Sequence, residues 1–394
     1  MTGYPPPMAH AGPRPLEGPV EQRLAALAPT VRRWQGWADE RRRPSDAVLR
    51  GFAEAGLLRL LAPRAYGGEE LALPDFLAAV EALAAVDGSA AWTVMTCNEE
   101  LGIASAYLPE GAVTSLLEEA PASIVAGSGL ASGTCRPGGA GCVVEGRWRF
   151  VSGAPCADHF VFGTVVQGAP TRQLCYVLVP RHEAEVLDTW AVAGLRGTGS
   201  HDVVLRDVLV PWSRAGLVGP ELATVPDSPF YRLPYGLRFP FPKVGVACGV
   251  ARAAIAAFVE LASAKTPHTA SAPLRERATA QQAVAEATAT LGGGWAWARE
   301  VLAELWATVV AGEPIGGELH ASCRLACSTA VGAAVRAVDL VCSAAGTTAN
   351  FLDQPLERCF RDVHAVPQHF TVAPHQVPTA GRVLLGLDPG DPAF

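Results

Sequence analysis

The sequence is poor in charge and has no excess of basic residues. Charged residues make up 18% of the 394 residues, and the formal net charge is −7. A nucleic-acid-binding protein usually carries a basic surface, so this composition argues against a general nucleic-acid binder. The densest basic cluster, Arg41 to Arg43, is typical of a solvated helix end rather than of a phosphate site.

The sequence also lacks an unbroken apolar run that approaches the roughly 18 residues of a membrane span. Met1 to Pro15 is rich in proline and glycine and lacks the basic and apolar regions of a signal peptide. We therefore expect a cytoplasmic protein without a membrane segment, with residues 1–19 as a disordered tail. Hydrophobic residues make up 49% of the chain, which is enough for a large core.

Ten cysteines are present, but they show neither a disulfide framework nor zinc-site spacing. A free thiol in an apolar, alanine-rich, helix-like stretch behaves as a small hydrophobic group. Five of the ten lie in such stretches: Cys97, Cys248, Cys323, Cys327 and Cys342. We expect a reduced protein without a metal site.

Periodicity divides the rest of the chain into three domains. Residues 20–121 show helical spacing, with Ser45 as an N-cap and Pro74 opening a further helix. Residues 122–219 show short alternating runs, which predict a compact β-barrel or sandwich with a hairpin turn at Glu145-Gly146. Residues 220–394 predict an alanine-rich helical bundle, whose proline-broken end from Pro374 drapes over a neighbour.

The predicted fold class is therefore mainly α with a central β domain. The order of helices, then strands, then helices excludes a Rossmann fold, which needs alternating βαβ units. Approximate bounds follow from the individual runs. Strands are expected at 142–150, 160–166, 175–179 and 203–210, and long helices at 244–264, 274–311 and 318–346.

This order and several local motifs resemble the acyl-CoA dehydrogenase superfamily. Pro63 to Gly68 and Asp87-Gly88-Ser89 resemble its N-terminal helical domain, and Trp148 to Gly153 resembles the strand and turn that meet the flavin. Gly194 to Ser200 is the most specific stretch, and Arg361-Asp362 resembles the segment that carries the base of many dehydrogenases. The resemblance runs from about residue 20 to the C-terminus.

Two departures set the chain apart from the dehydrogenases. No carboxylate follows soon after Asp362, whereas many dehydrogenases carry a catalytic Glu there. His369 falls where two-component flavin monooxygenases carry a His, and the likeness is strongest to the oxygenase component that hydroxylates a secosteroid phenol. The resemblance implies reduced FMN or FAD supplied by a separate NAD(P)H-flavin reductase, a flavin C4a-hydroperoxide, and a homotetramer.

The resemblance also implies two catalytic residues. Ser152 matches the family residue that contacts flavin N5, and a hydroxyl can both donate and accept a hydrogen bond. His369 is the candidate acid or base, because an imidazole titrates near neutral pH. The residues alone also allow a turn serine before Gly153 and a helix-terminal histidine satisfied by carbonyls. His364 lies on a different face and is a weaker competitor.

Substrate contacts are expected on one helix and one strand. Ser128 falls near a family position that touches substrate, and Glu100, or less surely Asn98, falls where the phenol hydroxylases carry a substrate-binding His. A carboxylate there favours a cationic or hydrogen-bond-donating substrate. One of Glu99 and Glu100 is expected on an exposed helix face instead.

Three further residues are candidates for binding the flavin. Lys265 sits where the family has a basic residue for the flavin phosphate, with Arg275 and Arg277 as alternatives. Trp148 can stack near the flavin, although an inward strand aromatic is more often core. Arg196 can contact the cofactor or hold its own loop through carbonyls.

Two other functions stay open at this stage. An acyl-CoA dehydrogenase or oxidase with tightly bound FAD would take its base from elsewhere, such as Glu260 or Glu286. A member that kept the fold and lost the chemistry is compatible with Glu100 in place of the family His. A reduced-flavin-dependent monooxygenase acting on a small aromatic, polycyclic or amino-bearing molecule is the leading hypothesis.

Overall fold

The computed structural model describes residues 19–120, 122–218, 228–268 and 271–391. Most of the predicted N-terminal tail lies outside these residues. The helices are α1 (Val20–Arg41), α2 (Asp46–Glu54), α3 (Leu73–Ala84), α4 (Gly88–Tyr107), α5 (Glu110–Thr114), α6 (Pro229–Arg232), α7 (Tyr235–Arg238), α8 (Pro240–Ala264), α9 (Ala278–Ala311), α10 (Gly317–Ala345), α11 (Pro355–Ala365) and α12 (Gln376–Leu384). The strands are β1 (Val125–Pro137), β2 (Gly141–Val151), β3 (His159–Val166), β4 (Leu174–Pro180), β5 (Glu185–Leu187), β6 (His201–Pro211) and β7 (Ala215–Leu217).

Local capping defines the start of the N-terminal helices. The Ser45 hydroxyl accepts a hydrogen bond from the Val48 amide at 3.2 Å, and Pro74 lies in the first turn of α3, both as predicted. The Asp87 carboxylate accepts from the Ala90 amide at 2.7 Å and caps α4. Helix α4 is buried along nearly its whole length, because it lies between the sheet and the helical bundle.

Within the described residues, seven strands form one mixed sheet in the order β5-β6-β2-β1-β3-β4-β7, in which β1 and β3 pair parallel and the other neighbours pair antiparallel. The predicted turn at Glu145-Gly146 is wrong. Strand β2 continues through both residues, and the chain reverses between Pro137 and Gly141 instead. Glycine is needed at 146 for packing, since a Cβ there would lie 2.6 Å from the Gly133 Cα.

The concave side of the sheet encloses its own apolar core. Trp148 is fully buried there and stacks on Phe162 with ring centroids 4.2 Å apart. All ten cysteines are free, and three of them meet in this core with their sulfur atoms within 4.8 Å of one another: Cys135, Cys142 and Cys175. Their sequence spacing did not predict this cluster, because the three thiols come from three different strands.

Helices α8 to α12 form the bundle that packs against α3 and α4. The bounds of α8, α9 and α10 agree closely with the predicted helices. The segment after Pro374 is not merely draped over a neighbour, because it forms α12 and packs on α10 of the same protomer. The buried Gln376 amide oxygen accepts a hydrogen bond from Arg324 of α10 at 3.2 Å.

Two stretches, Tyr235–Ala264 and Gly317–Asn350, are long and apolar enough to cross a membrane by length and composition alone. Both stretches are interrupted by charged residues, such as Lys243 and Arg252 in the first, so neither is the unbroken apolar run that the sequence lacks. In each stretch about half of the apolar window, 56% and 44%, is buried inside the protomer. Core helices of soluble proteins pass the same test, so this is weak support for a membrane segment.

Candidate active site

Helix α4 lies at the centre of the site, between β1 with the end of β2 on one side and α8 on the other. Three of its side chains contact three different neighbouring elements. Trp92 contacts the turn after β2, Glu99 contacts α8, and Glu100 packs against β1. The residues expected to bind flavin and substrate therefore surround one buried helix.

Ser152 lies in the turn after β2, where Gly153 adopts a left-handed φ of 79°. Its side chain is buried, and its Oγ accepts a hydrogen bond from the Trp92 indole Nε1 at 3.0 Å. The Ser200 hydroxyl lies 2.8 Å from the Ser152 hydroxyl, and the Thr198 hydroxyl lies 2.7 Å from that of Ser200. Ser152 is thus the first member of a buried row of three hydroxyls.

The loop that supplies Thr198 and Ser200 is held in place by α11. The Asp362 carboxylate accepts a hydrogen bond from the Leu195 amide at 2.6 Å, and the Arg361 guanidinium donates to the Ala193 carbonyl at 2.6 Å. Burial, together with the nearby Asp87 carboxylate, raises the pKa of Asp362 to about 7. Two of the stretches that resemble the family, Gly194 to Ser200 and Arg361-Asp362, therefore contact each other.

His369 follows α11 and approaches the same point from the bundle. Its ring lies edge-on to Trp92, with ring centroids 5.7 Å apart. The Thr371 amide donates to His369 Nδ1 at 3.4 Å, and the Thr371 hydroxyl lies 2.9 Å from the same atom. Because an amide N–H can only donate, Nδ1 is the acceptor and Nε2 carries the proton. Burial, and then the charge of Lys243, lowers the pKa of His369 well below its usual range.

The acidic pair on α4 is divided between two environments. Glu99 forms a buried ion pair with Lys243 of α8 at 2.5 Å. Glu100 is equally buried, but its Oε2 has no hydrogen-bond partner. Burial, and then the negative charge of Glu99, raises the pKa of Glu100 well above its usual range. Neither residue lies on an exposed helix face, so that expectation is wrong, and the pKa shift favours the protonated form of Glu100.

Strand β1 has a register shift beside Glu100. Four residues of β1, 129–132, lie between Ser128 and Gly133, where β3 has only Gly163 between Phe162 and Thr164, so residues 129–132 form a bulge. A Cβ at Gly127 would lie 2.8 Å from Glu100 Oε2, and one at Gly129 would lie 2.0 Å from the Tyr235 hydroxyl. Glycine is therefore required at both positions flanking Ser128, and the β1 backbone around Ser128 packs against Glu100 and Tyr235.

Four other candidate site residues use their polar groups in hydrogen bonds to the protein backbone. The Asn98 amide is fully buried and bonds to the backbone of Leu57, Leu61 and Val94, so it has no free group for a substrate. Trp148 donates to the Gly163 carbonyl inside the sheet core. Arg196 donates to the Asp39 and Val192 carbonyls, and Lys265 donates to the Ala345 carbonyl and the Thr348 hydroxyl. We retain Ser152, His369, Ser128 and Glu100.

The remaining alternatives lie apart from this cluster. Arg275, Arg277, Glu260 and Glu286 are exposed on the protomer. His364 bonds to the Phe360 carbonyl and lies 3.3 Å from Asp339. The two glutamates proposed as an alternative dehydrogenase base are therefore not placed to act beside Ser152 in this protomer.

Sequence reasoning missed three residues of the site. Trp92 links the sheet to the bundle, and Lys243 neutralises Glu99, but both contacts join distant parts of the chain and leave no local pattern. Phe150 stands two residues before Ser152 and is 61% exposed with a left-handed φ of 61°. An exposed aromatic in a strained conformation is a feature of functional sites.

Comparison with known proteins places this site in a family. Residues 23–109 match the family described as acyl-CoA dehydrogenase, N-terminal domain, and residues 243–374 match acyl-CoA dehydrogenase, C-terminal domain. The chain belongs to the acyl-CoA dehydrogenase family. Both matched segments carry site residues, since the first contains Trp92 and Glu100 and the second contains Lys243 and His369.

Within that family the similar proteins are oxygenases. The chain is 30% identical to indole-3-acetate monooxygenase of Acinetobacter baumannii over 88% of each chain. It is 31% identical to the oxygenase subunit HsaA, a flavin-dependent monooxygenase of Rhodococcus jostii, over 88% of this chain and 93% of that protein. The crystal structure of 3-HSA hydroxylase from a Rhodococcus species superposes with a TM-score of 0.86 at 29% identity, covering 96% and 99% of the two chains.

This member of the family is therefore a flavin-dependent monooxygenase, acting as the oxygenase component of an oxidoreductase system. It uses reduced flavin and acts on a small-molecule substrate. The fold prediction of an N-terminal helical domain, a central β domain and a helical bundle in the acyl-CoA dehydrogenase arrangement is confirmed.

Proposed function

We propose that this oxygenase component hydroxylates a small aromatic substrate with reduced FMN or FAD delivered by an NAD(P)H-flavin reductase. The observation that carries the proposal is the position of Trp92. Its indole donates to Ser152 and its ring edge meets His369, so both candidate catalytic side chains converge at one point of α4. We place the protein in the cytoplasm, where NAD(P)H is available to the reductase.

The residues around Ser152 fit a flavin ring. Phe150 is exposed two residues before Ser152, and the Trp190 ring lies edge-on to the Phe150 ring with centroids 6.3 Å apart. Gly153 follows Ser152 and has no side chain to fill the turn. Ser152 would hold the central ring through its hydroxyl, and Phe150 would cover one edge. Reduced flavin supplies the electrons that activate dioxygen.

His369 would hold a proton close to the reacting oxygen. Its Nε2 carries hydrogen while Nδ1 is fixed by Thr371, so the neutral ring presents a donor without charge. The Lys243 charge and the buried surroundings keep the ring neutral. A neutral donor can orient an oxygen atom and release the proton when negative charge develops.

Glu100 and Ser128 would bind the polar group of the substrate. A protonated carboxyl both donates and accepts, so it can replace a histidine as the partner of a phenol or indole group. The similar proteins are named for indole-3-acetate and resorcinol, both aromatic compounds. Tyr235 and Ile103 approach Gly129 and supply an apolar side to the same pocket.

The buried acidic pair on α4 favours a second substrate class, molecules that carry an amine. Glu99 and Glu100 face a single ammonium group, that of Lys243. A substrate ammonium group would favour ionisation of Glu100 and would donate to its Oε2, which has no hydrogen-bond partner among the described residues. Oxidation of an amino-bearing molecule is therefore the second candidate reaction.

The decisive experiment is an anaerobic titration of the purified protein with reduced FMN and with reduced FAD, followed by mixing with oxygen. We expect micromolar binding of one reduced flavin and reoxidation slower than that of free flavin. Substrates are then screened with ¹⁸O₂, and one labelled oxygen in the product shows monooxygenation. Tight binding of oxidised FAD, with no affinity for reduced flavin, would return the dehydrogenase or oxidase hypothesis to first place.

We also propose a homotetramer. Helices α9 and α10 carry small side chains on several faces, and large apolar residues stay exposed on the protomer, among them Phe351 at 63% and Leu352 at 81%. Exposed apolar surface of this kind marks contacts between subunits.

A further inference from the structure

The three buried hydroxyls next to the proposed flavin position have a fixed direction. The Thr198 hydroxyl lies 2.7 Å from the Leu195 carbonyl oxygen, which can only accept, so Thr198 donates its proton there. Thr198 must then accept from Ser200, since its own proton is already used. Ser200 in turn must accept from Ser152.

The direction of this row determines what Ser152 can offer. A hydroxyl has one proton and two acceptor sites. The proton of Ser152 is donated to Ser200, and the Trp92 N–H occupies one acceptor site. What remains on Ser152 is one acceptor site, although the sequence alone left both donor and acceptor roles open.

Oxidised and reduced flavin differ at the atom that Ser152 would face. Oxidised flavin presents a bare N5, which accepts hydrogen bonds, whereas reduced flavin presents N5–H, which donates one. An acceptor placed against a bare N5 leaves two lone pairs opposed and both atoms without a proton. The same acceptor placed against N5–H forms a hydrogen bond.

We propose that Ser200 and Thr198 are positioning residues that make Ser152 an acceptor and so select reduced over oxidised flavin. The inference rests on the proposed position of the flavin at Ser152. A two-component oxygenase needs such selection, because it must capture reduced flavin and release the oxidised form after each turnover.

The surrounding loop keeps the row in this arrangement. Leu195 adopts a left-handed φ of 51°, and its carbonyl accepts from the Trp190 indole at 3.2 Å as well as from Thr198. The Gly153 amide donates to the Thr198 carbonyl at 2.8 Å, which ties the Ser152 turn to the loop. Ser200 and Thr198 are both buried, so water does not compete for their protons.

The test compares the dissociation constants of oxidised and reduced FMN, measured aerobically by fluorescence quenching and anaerobically by titration. We expect the wild-type protein to bind reduced FMN at least tenfold more tightly. In Ser200→Ala the Ser152 proton is released, and the ratio of the two constants should fall about tenfold. A tenfold fall lowers the midpoint potential of the bound flavin by about 30 mV for two electrons.

Matched variants distinguish the effect of hydrogen-bond direction from the effect of side-chain packing. Thr198→Val removes the acceptor of Ser200 with little change in volume and should lower the ratio in the same way, whereas Thr198→Ser should restore it. Thr164→Val deletes a buried hydroxyl that also bonds to a carbonyl, at 2.7 Å, but lies within the sheet, and it should leave the ratio unchanged. Thermal melts verify that each variant is folded.

The outcomes distinguish this inference from the proposed function. Equal affinity of the wild type for both flavin states, or an unchanged ratio in Thr198→Val and Ser200→Ala, would overturn the selection role while leaving the oxygenase intact. Absence of reduced-flavin binding in the wild type would overturn the proposed function itself.

Discussion

At the scale of single residues, the site depends on side chains whose usual charge has been suppressed. Burial and then Lys243 lower the pKa of His369 and favour the neutral imidazole, while burial and then Glu99 raise the pKa of Glu100 and favour the protonated carboxyl. Both shifts favour uncharged hydrogen-bonding groups where the sequence shows a base and an acid. Such shifts cluster at functional sites.

His369→Ala should uncouple flavin oxidation from hydroxylation. Loss of the Nε2 proton should lower the rate of product formation about 100-fold, a typical loss for a proton-transfer group. The affinity for reduced flavin should change less than threefold. The measurement is product formed per reduced flavin consumed, with released hydrogen peroxide determined in parallel. His364→Ala is the matched control and should behave as the wild type, because His364 bonds to the Phe360 carbonyl and faces Asp339 of α10.

Glu100→Gln distinguishes the two proposed substrate classes. If Glu100 is protonated, glutamine keeps a donor and an acceptor, and the dissociation constant of an aromatic substrate at pH 7 should change less than threefold. Glu100→Leu removes both and should weaken binding at least tenfold, the cost of about one lost buried hydrogen bond. Isothermal titration with product or substrate provides the constants. A large loss in Glu100→Gln would show that an ionised carboxylate is required and would favour an amine substrate.

At the scale of elements, the loop from Gly194 to Ser200 and helix α11 form one unit. Asp362 accepts the Leu195 amide, and a Cβ at Gly194 would lie 2.0 Å from the Arg361 carbonyl, so this glycine permits the close approach. Through this contact the bundle positions the hydroxyls that face the turn after β2. A disturbance of α11 should therefore reach Ser152 without touching it.

The pKa of Asp362 predicts how stability changes with pH. Folding raises this pKa from 3.8 to about 7, so the folded state binds more protons than the unfolded state between these values. The contribution of Asp362 to the free energy of unfolding should therefore decrease as pH rises from about 4 to about 7, and stay low above it. Asp362→Asn keeps an acceptor for the Leu195 amide but cannot titrate. Urea unfolding at pH 5, 6, 7 and 8 should show a smaller decrease in this variant, and an identical pH profile would contradict the assignment.

At the scale of the whole molecule, the exposed apolar residues after α10 predict the contact between subunits. Leu352→Asp places a charge in that contact and should shift the mass seen by light scattering from four protomers toward one or two. The change should leave the far-ultraviolet circular dichroism of the helices intact. A wild-type protein that is monomeric at micromolar concentration would contradict the tetramer.

Features encoded locally could be predicted from the sequence. Ser45 and Pro74 mark helix starts through a side-chain hydrogen bond and a fixed dihedral, and the four predicted strands match β2, β3, β4 and β6 within two residues. Strands β1, β5 and β7 were not predicted. Features set by distant contacts could not. Gly146 signals a turn by its residue type, but in the fold its missing Cβ admits Gly133 of the neighbouring strand.

The same distinction holds for the site. Motif likeness identified Ser152 and His369 as candidates, and the fold brings both to Trp92, but it could not show that Asn98, Arg196 and Lys265 bond to backbone carbonyls. Nor could it show the raised pKa of Glu100, which depends on how completely α4 is enclosed and on the charges of Glu99 and Lys243 nearby.

The enclosure of α4 also bears on how this enzyme can be changed. Nearly every side chain of that helix is packed on all sides, so substitutions there disturb the core before they alter specificity. The β1 bulge at residues 129–132 includes Leu130, which is 53% exposed, and it follows Gly127, whose Cβ position faces Glu100. In directed evolution toward new substrates, we expect productive substitutions to accumulate in that short bulge while α4 stays unchanged.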